Sequence, residues 1–112
     1  MIIQPLIEAT TKPERRHGQR RKYRGEIEID WGSAVLKANV RDIGPQGLFI
    51  ELVPPLWVGA RFDARLMVVP VLFLQCTVAR VEPANGIGVM FEIPLDSDKS
   101  KLESLLLSLP AV

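Results

Sequence analysis

From Glu26 onward the chain alternates. In "EIEID" the apolar positions are Ile27 and Ile29, with acids between them. "AVLKANV" sets Leu36, Ala38 and Val40 on one face and Val35, Lys37 and Asn39 on the other. Period 2 marks a strand with one buried face, because successive side chains point to opposite sides of a sheet. "WGS" between these runs is a tight turn. "GLFIEL" gives a further strand, and Arg61, Asp63, Arg65 against Phe62, Ala64, Leu66 gives another. "PPLWVG" is a connection ended by Gly59. "VLFLQCTVARV" is a long apolar run, "EPANG" turns the chain, and "IGVMFEI" alternates through Ile87, Val89, Phe91 and Ile93. About six strands in roughly 70 residues is the spacing of a small antiparallel barrel or sandwich. Closure removes exposed edges, so the pattern predicts a mainly β fold, a six-stranded antiparallel β-barrel over residues 26–94.

After Pro94 the period changes. In "LDSDKSKLESLLLSL", Leu102, Leu105, Leu106 and Leu109 fall at i, i+3, i+4, i+7 and make one apolar stripe. A C-terminal α-helix is predicted over residues 95–110, capped by Asp96 or Ser97 and stopped by Pro110. The acids Asp96 and Asp98 suit its positive dipole end. A stripe of two turns predicts a helix that covers a face or mouth of the barrel. Its other use is a dimer seam, and a monomer or weak dimer is expected. Residues 1–25 show no period, and Pro5, Pro13, Gly18 and Gly25 interrupt them. They are predicted to form a flexible arm before a single domain, the natural count for 112 residues.

Charge separates the arm from the body. Lys12, Arg15, Arg16, Arg20, Arg21, Lys22 and Arg24 stand against Glu14 alone, half of the chain's 14 basic residues in one stretch. The whole chain has a net charge of only +1, so the remainder is mildly acidic. Such a block is either a solubilising tail or an attractor of anions. One cysteine, Cys76, rules out an internal disulfide and suits a reducing compartment. "MIIQPLIEAT" lacks a basic n-region and is a poor signal peptide. No apolar run approaches the roughly 20 residues that span a bilayer, so no membrane insertion and a cytoplasmic location are expected.

The chain is poor in catalytic chemistry. Its one histidine, His17, lies in the arm, and Cys76 lies in a strand. No two His or Cys residues have metal-ligand spacing. Gly86 and Gly88 in "NGIGVMF" precede a strand where a phosphate loop needs a lysine and a helix. The expected protein is a binding module, not an enzyme. The stretch with chemical character is "RDIGPQGLFIE". Gly44-Pro45-Gln46-Gly47 reads as a stiff β-turn. Asp42 ahead of it either bonds its own backbone or offers a carboxylate to a ligand. Gly47 supplies a positive φ or lets a ligand approach the backbone. Single-stranded nucleic acid would need a platform of exposed aromatics. The four phenylalanines sit in strand patterns and are expected in the core, and Trp31 and Trp57 are separated on connections, so no nucleic-acid polymer is expected as partner.

A basic "RRHGQR" arm, "DIGPQG" before a strand, "CTVARV…GIGVMF" and a terminal helix together resemble the PilZ domain, a receptor family for the bacterial second messenger cyclic di-GMP. The likeness covers residues 14 to 109. The family's signatures are RxxxR in the arm and (D/N)xSxxG after the second strand. Arg16 and Arg20 match the first, with Arg15 as the extra arginine often seen beside it. Asp42 and Gly47 match the second, and Gly44 stands where the family has serine. The resemblance implies a ligand site of Arg15, Arg16, Arg20, Asp42, Gly44 and Gly47, no cofactor, and cyclic di-GMP as ligand. It implies an effector that relays the signal to an unidentified protein partner, in motility, pilus or biofilm control. The alternative it leaves is an adaptor that has lost the nucleotide and works by protein contacts. Arginine suits both halves of such a ligand. Its fork binds phosphate or guanine O6 and N7, and its plane stacks on a base. Asp42 would accept from the N1–H and N2–H edge of guanine.

Overall fold

Apolar residues spaced two apart can all be buried on one side only if the sheet meets another layer or curls on itself. Here the sheet curls. The computed structural model describes residues 20–110. Six strands form a closed barrel: β1 (Arg21–Trp31), β2 (Ala34–Ile43), β3 (Gly47–Glu51), β4 (Arg61–Leu66), β5 (Leu72–Glu82) and β6 (Gly86–Glu92). All pairings are antiparallel, in the order β1-β2-β3-β6-β5-β4. β4 closes the ring on β1 from Ile27 opposite Leu66 to Asp30 opposite Asp63. The inward positions are those the alternation marks, among them Ile27, Ile29, Val40, Phe62, Leu74 and Val89, all in one core. Helix α1 (Asp96–Ser108) follows. Leu102 enters the core, and Leu105, Leu106 and Leu109 pack against it, so the predicted stripe is the docking face.

The arm is shorter than expected. β1 begins at Arg21, so residues 21–25, assigned above to a flexible arm, belong to the barrel, with Arg21 opposite Ile43 and Lys22 opposite Asp42. Tyr23 packs on the core, and Gly25 leaves the space its ring fills. Arg21 and Gly25 sit at inward positions without being apolar, which hides the strand from a reading of hydrophobic period. Residues 1–19 of the arm, including Arg15 and Arg16, lie outside the described residues, and Arg20 directly precedes β1.

Several side chains depart from their expected places. Phe73 is on the outer parity of β5 and is 45% exposed, not in the core. The helix N-cap is Leu95, which makes no side-chain cap, so neither Asp96 nor Ser97 takes that role. Asp96 is exposed and pairs with Lys99 at 3.2 Å. Asp98 instead is buried. It accepts from Lys101 Nζ at 2.8 Å and, at the long distance of 3.5 Å, from the Phe73 N–H. The last β6 partner of β5 is Glu92, opposite Gln75, so Phe73 lies beyond that ladder and Asp98 ties the helix to it.

The Lys101 ammonium holds the Asp98 carboxyl below the usual carboxylate range; burial opposes this, and the Phe73 N–H assists it. A carboxyl with a lowered folded pKa stabilises above its unfolded value of about 3.9, and that stability is lost as pH falls through the folded value. Asp98→Asn should therefore melt several degrees below the wild type at neutral pH. The gap should close as pH drops below about 4. Thermal melts of both proteins between pH 3 and 7 check this, and a gap constant with pH would deny Asp98 a charged role.

Candidate functional site

Two breaks in strand parity build the site. On β2 the inward residues run Leu36, Ala38, Val40, and the next is Ile43. The register slips between Val40, opposite Ile50, and Asp42, opposite Phe49. Without that bulge Asp42 would point into the core; with it Asp42 faces outward. On β5 the inward run Leu72, Leu74, Cys76, Val78 is followed by Val81. A second slip lies between Val78, opposite Val89, and Arg80, opposite Gly88. It turns Arg80 outward in the same way. One row on the outer surface then reads Asp42 (β2), Phe49 (β3), Gly88 (β6) and Arg80 (β5).

Charges alternate around this row. Arg20 Nη1 donates to Asp42 Oδ1 at 2.6 Å, and Arg41 Nε donates to Asp42 Oδ2 at 3.2 Å. Arg41 Nη1 reaches Glu82 Oε1 at 3.5 Å, and Arg80 Nη1 donates to Glu82 Oε2. Beneath the guanidiniums lies Phe49, fully buried yet outside the barrel core. Arg41 Cζ stands 3.7 Å from its ring centroid and Arg80 Cζ 5.4 Å, both in cation–π range. The Arg80 hydrogen bond, followed by that from Asn85, holds the Glu82 carboxyl below the usual range, so Glu82 is ionised at neutral pH.

The loop between β2 and β3 forms the other wall. The Gly44 N–H donates to the Gly47 carbonyl at 2.8 Å and closes the loop around Pro45 and Gln46; the bond runs opposite to the i C=O to i+3 N–H bond of the expected β-turn. The Phe91 N–H donates to the Gln46 carbonyl at 2.9 Å and fastens the loop to β6. The positive-φ glycines of the described chain are Gly32, Gly59 and Gly86, so neither Gly44 nor Gly47 is there for backbone handedness. Gly47 is there for proximity: a Cβ would lie 2.7 Å from the Val89 carbonyl oxygen. A cavity of about 220 Å³ opens between the loop and β5–β6, lined by Arg20, Gly44, Gly47, Arg80, Gly88 and Met90 among others.

Of the residues expected from the sequence, Arg20, Asp42, Gly44 and Gly47 come together here. Arg15 and Arg16 lie outside the described residues. Asp42 bonds two guanidiniums and does not spend its oxygens on its own turn. Arg41, Arg80, Glu82, Phe49 and Gly88 went unrecognised in the sequence. Their signal was the pair of skipped beats in "VRDI" and "VARV", where apolar spacing goes from two to three.

Other parts of the described chain offer less. A hollow of about 850 Å³ beside β4–β6 is larger, but it sets Arg61 against Asp30, Asp63 and Glu92 and so repels an anion. Cys76 is buried, and burial first, then Asp63, pushes its thiol up to about 12, so it stays protonated and is a poor nucleophile. Trp31 and Trp57, expected apart, meet edge to face with centroids 5.2 Å apart. No helix among the described residues is long and apolar enough to cross a membrane.

The closed barrel gathers Arg20, Arg41 and Arg80 with Asp42 and Glu82 beside the β2–β3 loop. Residues 14–108 match the PilZ domain, and the chain belongs to that family, generally one of cyclic di-GMP receptor domains. No curated protein sequence matches it. PilZ domains bind and adapt; they are not enzymes.

Proposed function

We propose that this chain binds cyclic di-GMP at the Arg20–Asp42 site and relays the bound state to a protein partner. The observation that carries the reading is the Arg20–Asp42 pair at 2.6 Å, beside a cavity that Arg20, Gly44 and Gly47 line. Arg20 and Asp42 are partly exposed, with side-chain accessibilities of 37% and 22%, so a ligand can reach both. A cavity of about 220 Å³ is below the roughly 300–1,000 Å³ of enclosed ligand pockets. A dinucleotide would stand partly outside it, and Arg15 and Arg16 of the family motif are the further arginines we assign to it.

Titration calorimetry with cyclic di-GMP tests the proposal. Saturable binding is expected, and Arg65→Ala should leave it unchanged, because Arg65 is engaged with Asp30 and Glu28 elsewhere on the barrel. No heat at high micromolar protein would move the protein to the second reading, a PilZ-like adaptor without nucleotide. Gly44 favours that second reading, since it lacks the serine hydroxyl of the family pattern. Pro45 beside it has no N–H to donate.

Gly44→Ser separates the two. Gly44 is not a positive-φ residue, and a residue before proline prefers extended angles that serine tolerates. Gly44 is buried and lines the cavity, so a serine side chain has to point into that space; a variant that keeps its melting temperature should bind cyclic di-GMP about threefold to tenfold more tightly, the worth of one added hydrogen bond. Unchanged stability with no gain in affinity would show that the missing hydroxyl does not limit the site.

A further inference from the structure

The cavity has an arginine that no sequence motif supplied. We propose that Arg80 is a further ligand-binding arginine of this site and that Glu82 restrains it, an internal carboxylate that competes with the ligand's phosphate for the guanidinium. The inference deepens the cyclic di-GMP reading and rests on it for the identity of the ligand.

Three independent features place Arg80 there. The bulge at Val78–Arg80 turns its side chain from the core to the cavity side of β5. Gly88, its cross-strand neighbour, gives it a floor to lie on: a Cβ on Gly88 would stand 3.0 Å from Arg80 Cγ and Nε. The Phe49 ring lies 5.4 Å below its Cζ. A guanidinium so placed has its plane and its fork pre-set, which lowers the entropy lost when it grips a phosphate or stacks on a base. Arg20 borders the same cavity, so a bound dinucleotide would meet guanidiniums from two walls, β5 and the start of β1.

Glu82 accounts for the charge of this arrangement without ligand. Its two oxygens take Arg80 and Arg41, and Asn85 Nδ2 at 3.3 Å fixes the carboxylate within the turn that leads to β6. A phosphate arriving at Arg80 must displace or share that contact. Glu82 therefore lowers affinity by a similar factor for every anion that must break the pair: a weak anion falls below measurable binding, whereas a ligand with two phosphates and two stacking bases stays above it. The residue sets a threshold.

Calorimetry and arginine Nε–Hε spectra on the full chain test this with cyclic di-GMP and, as a probe free of bases, inorganic pyrophosphate. Arg80→Ala should weaken cyclic di-GMP about tenfold or more, and Arg80→Lys should recover only part, since the charge returns without the fork. Glu82→Gln should tighten cyclic di-GMP about threefold to tenfold and pyrophosphate by at least as much. Glu103→Gln, on the exposed side of α1, makes the same change in net charge and should do neither. Melting of each variant guards against a folding effect, and Gly88→Ala, which alters no charge, should weaken binding by displacing Arg80. If the wild type binds cyclic di-GMP while Arg80→Ala and Glu82→Gln stay within twofold of it, the inference falls and the ligand assignment stands. If neither wild type nor Glu82→Gln binds cyclic di-GMP, the ligand assignment falls. A pyrophosphate-induced shift of the Arg80 Nε–Hε signal, larger in Glu82→Gln, then still supports the restrained anion site, and its absence overturns that too.

Discussion

Gly86→Ala should cost this protein more stability than any other single glycine replacement. Gly86 has φ +148°, a region where an L side chain is strained, at roughly 1–3 kcal/mol. The same Cβ would overlap the Ile50 carbonyl oxygen and come within 3.0 Å of Glu51 Cα, both backbone atoms of β3 that cannot rotate away. Overpacking of this kind adds about another 1–3 kcal/mol. A total of about 2–6 kcal/mol is a large part of the roughly 5–15 kcal/mol that holds a domain folded. It would open the β3–β6 ladder, which carries Phe49 opposite Gly88. Gly32→Ala is the comparison. Gly32 has φ +63° in the β1–β2 turn, and a methyl group there would have nothing within 4 Å, so only the backbone term of about 1–2 kcal/mol applies. Urea unfolding of both variants checks the difference. Equal losses would mean that β3 yields at Ile50, and that the ring is softer there than its pairing suggests.

The barrel was legible because its strands bury one face each. Ile27 and Ile29, Leu36 to Val40, and Ile87 to Phe91 keep a strict period, and closure then follows from the need to hide edges. The helix was legible for the same reason at another period. What escaped were places where parity or polarity breaks the rule. Arg21 and Gly25 continue β1 inward without hydrophobicity. Phe73 is large and apolar yet outward, because parity decides its side before hydropathy does. Asp98 looked like its neighbour Asp96, and the difference between them arises only where β5 outruns β6 and leaves a backbone N–H for it.

The site divides along the same line. Arg20, Asp42, Gly44 and Gly47 stand in two short motifs whose order and spacing can be read directly. Arg41, Arg80 and Glu82 join them through bulges and cross-strand neighbours, at sequence separations that no local pattern spans. A bulge adds one residue and reverses which face every later side chain takes. The inward residues Val40 to Ile43 and Val78 to Val81 record that reversal, so the information was present, as a missed beat and not as a motif.

Arg20→Ala should produce the largest loss of function. The side chain lines the cavity, and its guanidinium is the partner of Asp42 at 2.6 Å. Removing it deletes one or two charge-assisted contacts to a ligand phosphate or base, each worth about 1.5–3 kcal/mol, so the affinity for cyclic di-GMP should fall about a hundredfold. Asp42→Ala tests what the carboxylate does. Both of its oxygens accept from guanidiniums, so it orients Arg20 whatever else it contacts. Its loss should be about tenfold, and the double variant should bind little worse than Arg20→Ala alone, because the second change removes a support whose load has already gone. Full additivity would instead give Asp42 its own contact with the ligand. Comparing cyclic di-GMP with a cyclic dinucleotide lacking guanine locates that contact: a deficit confined to the guanine ligand puts the carboxylate on the N1–H and N2–H edge. An equal deficit for both ligands, with a non-additive cycle, leaves Asp42 as the residue that aims Arg20.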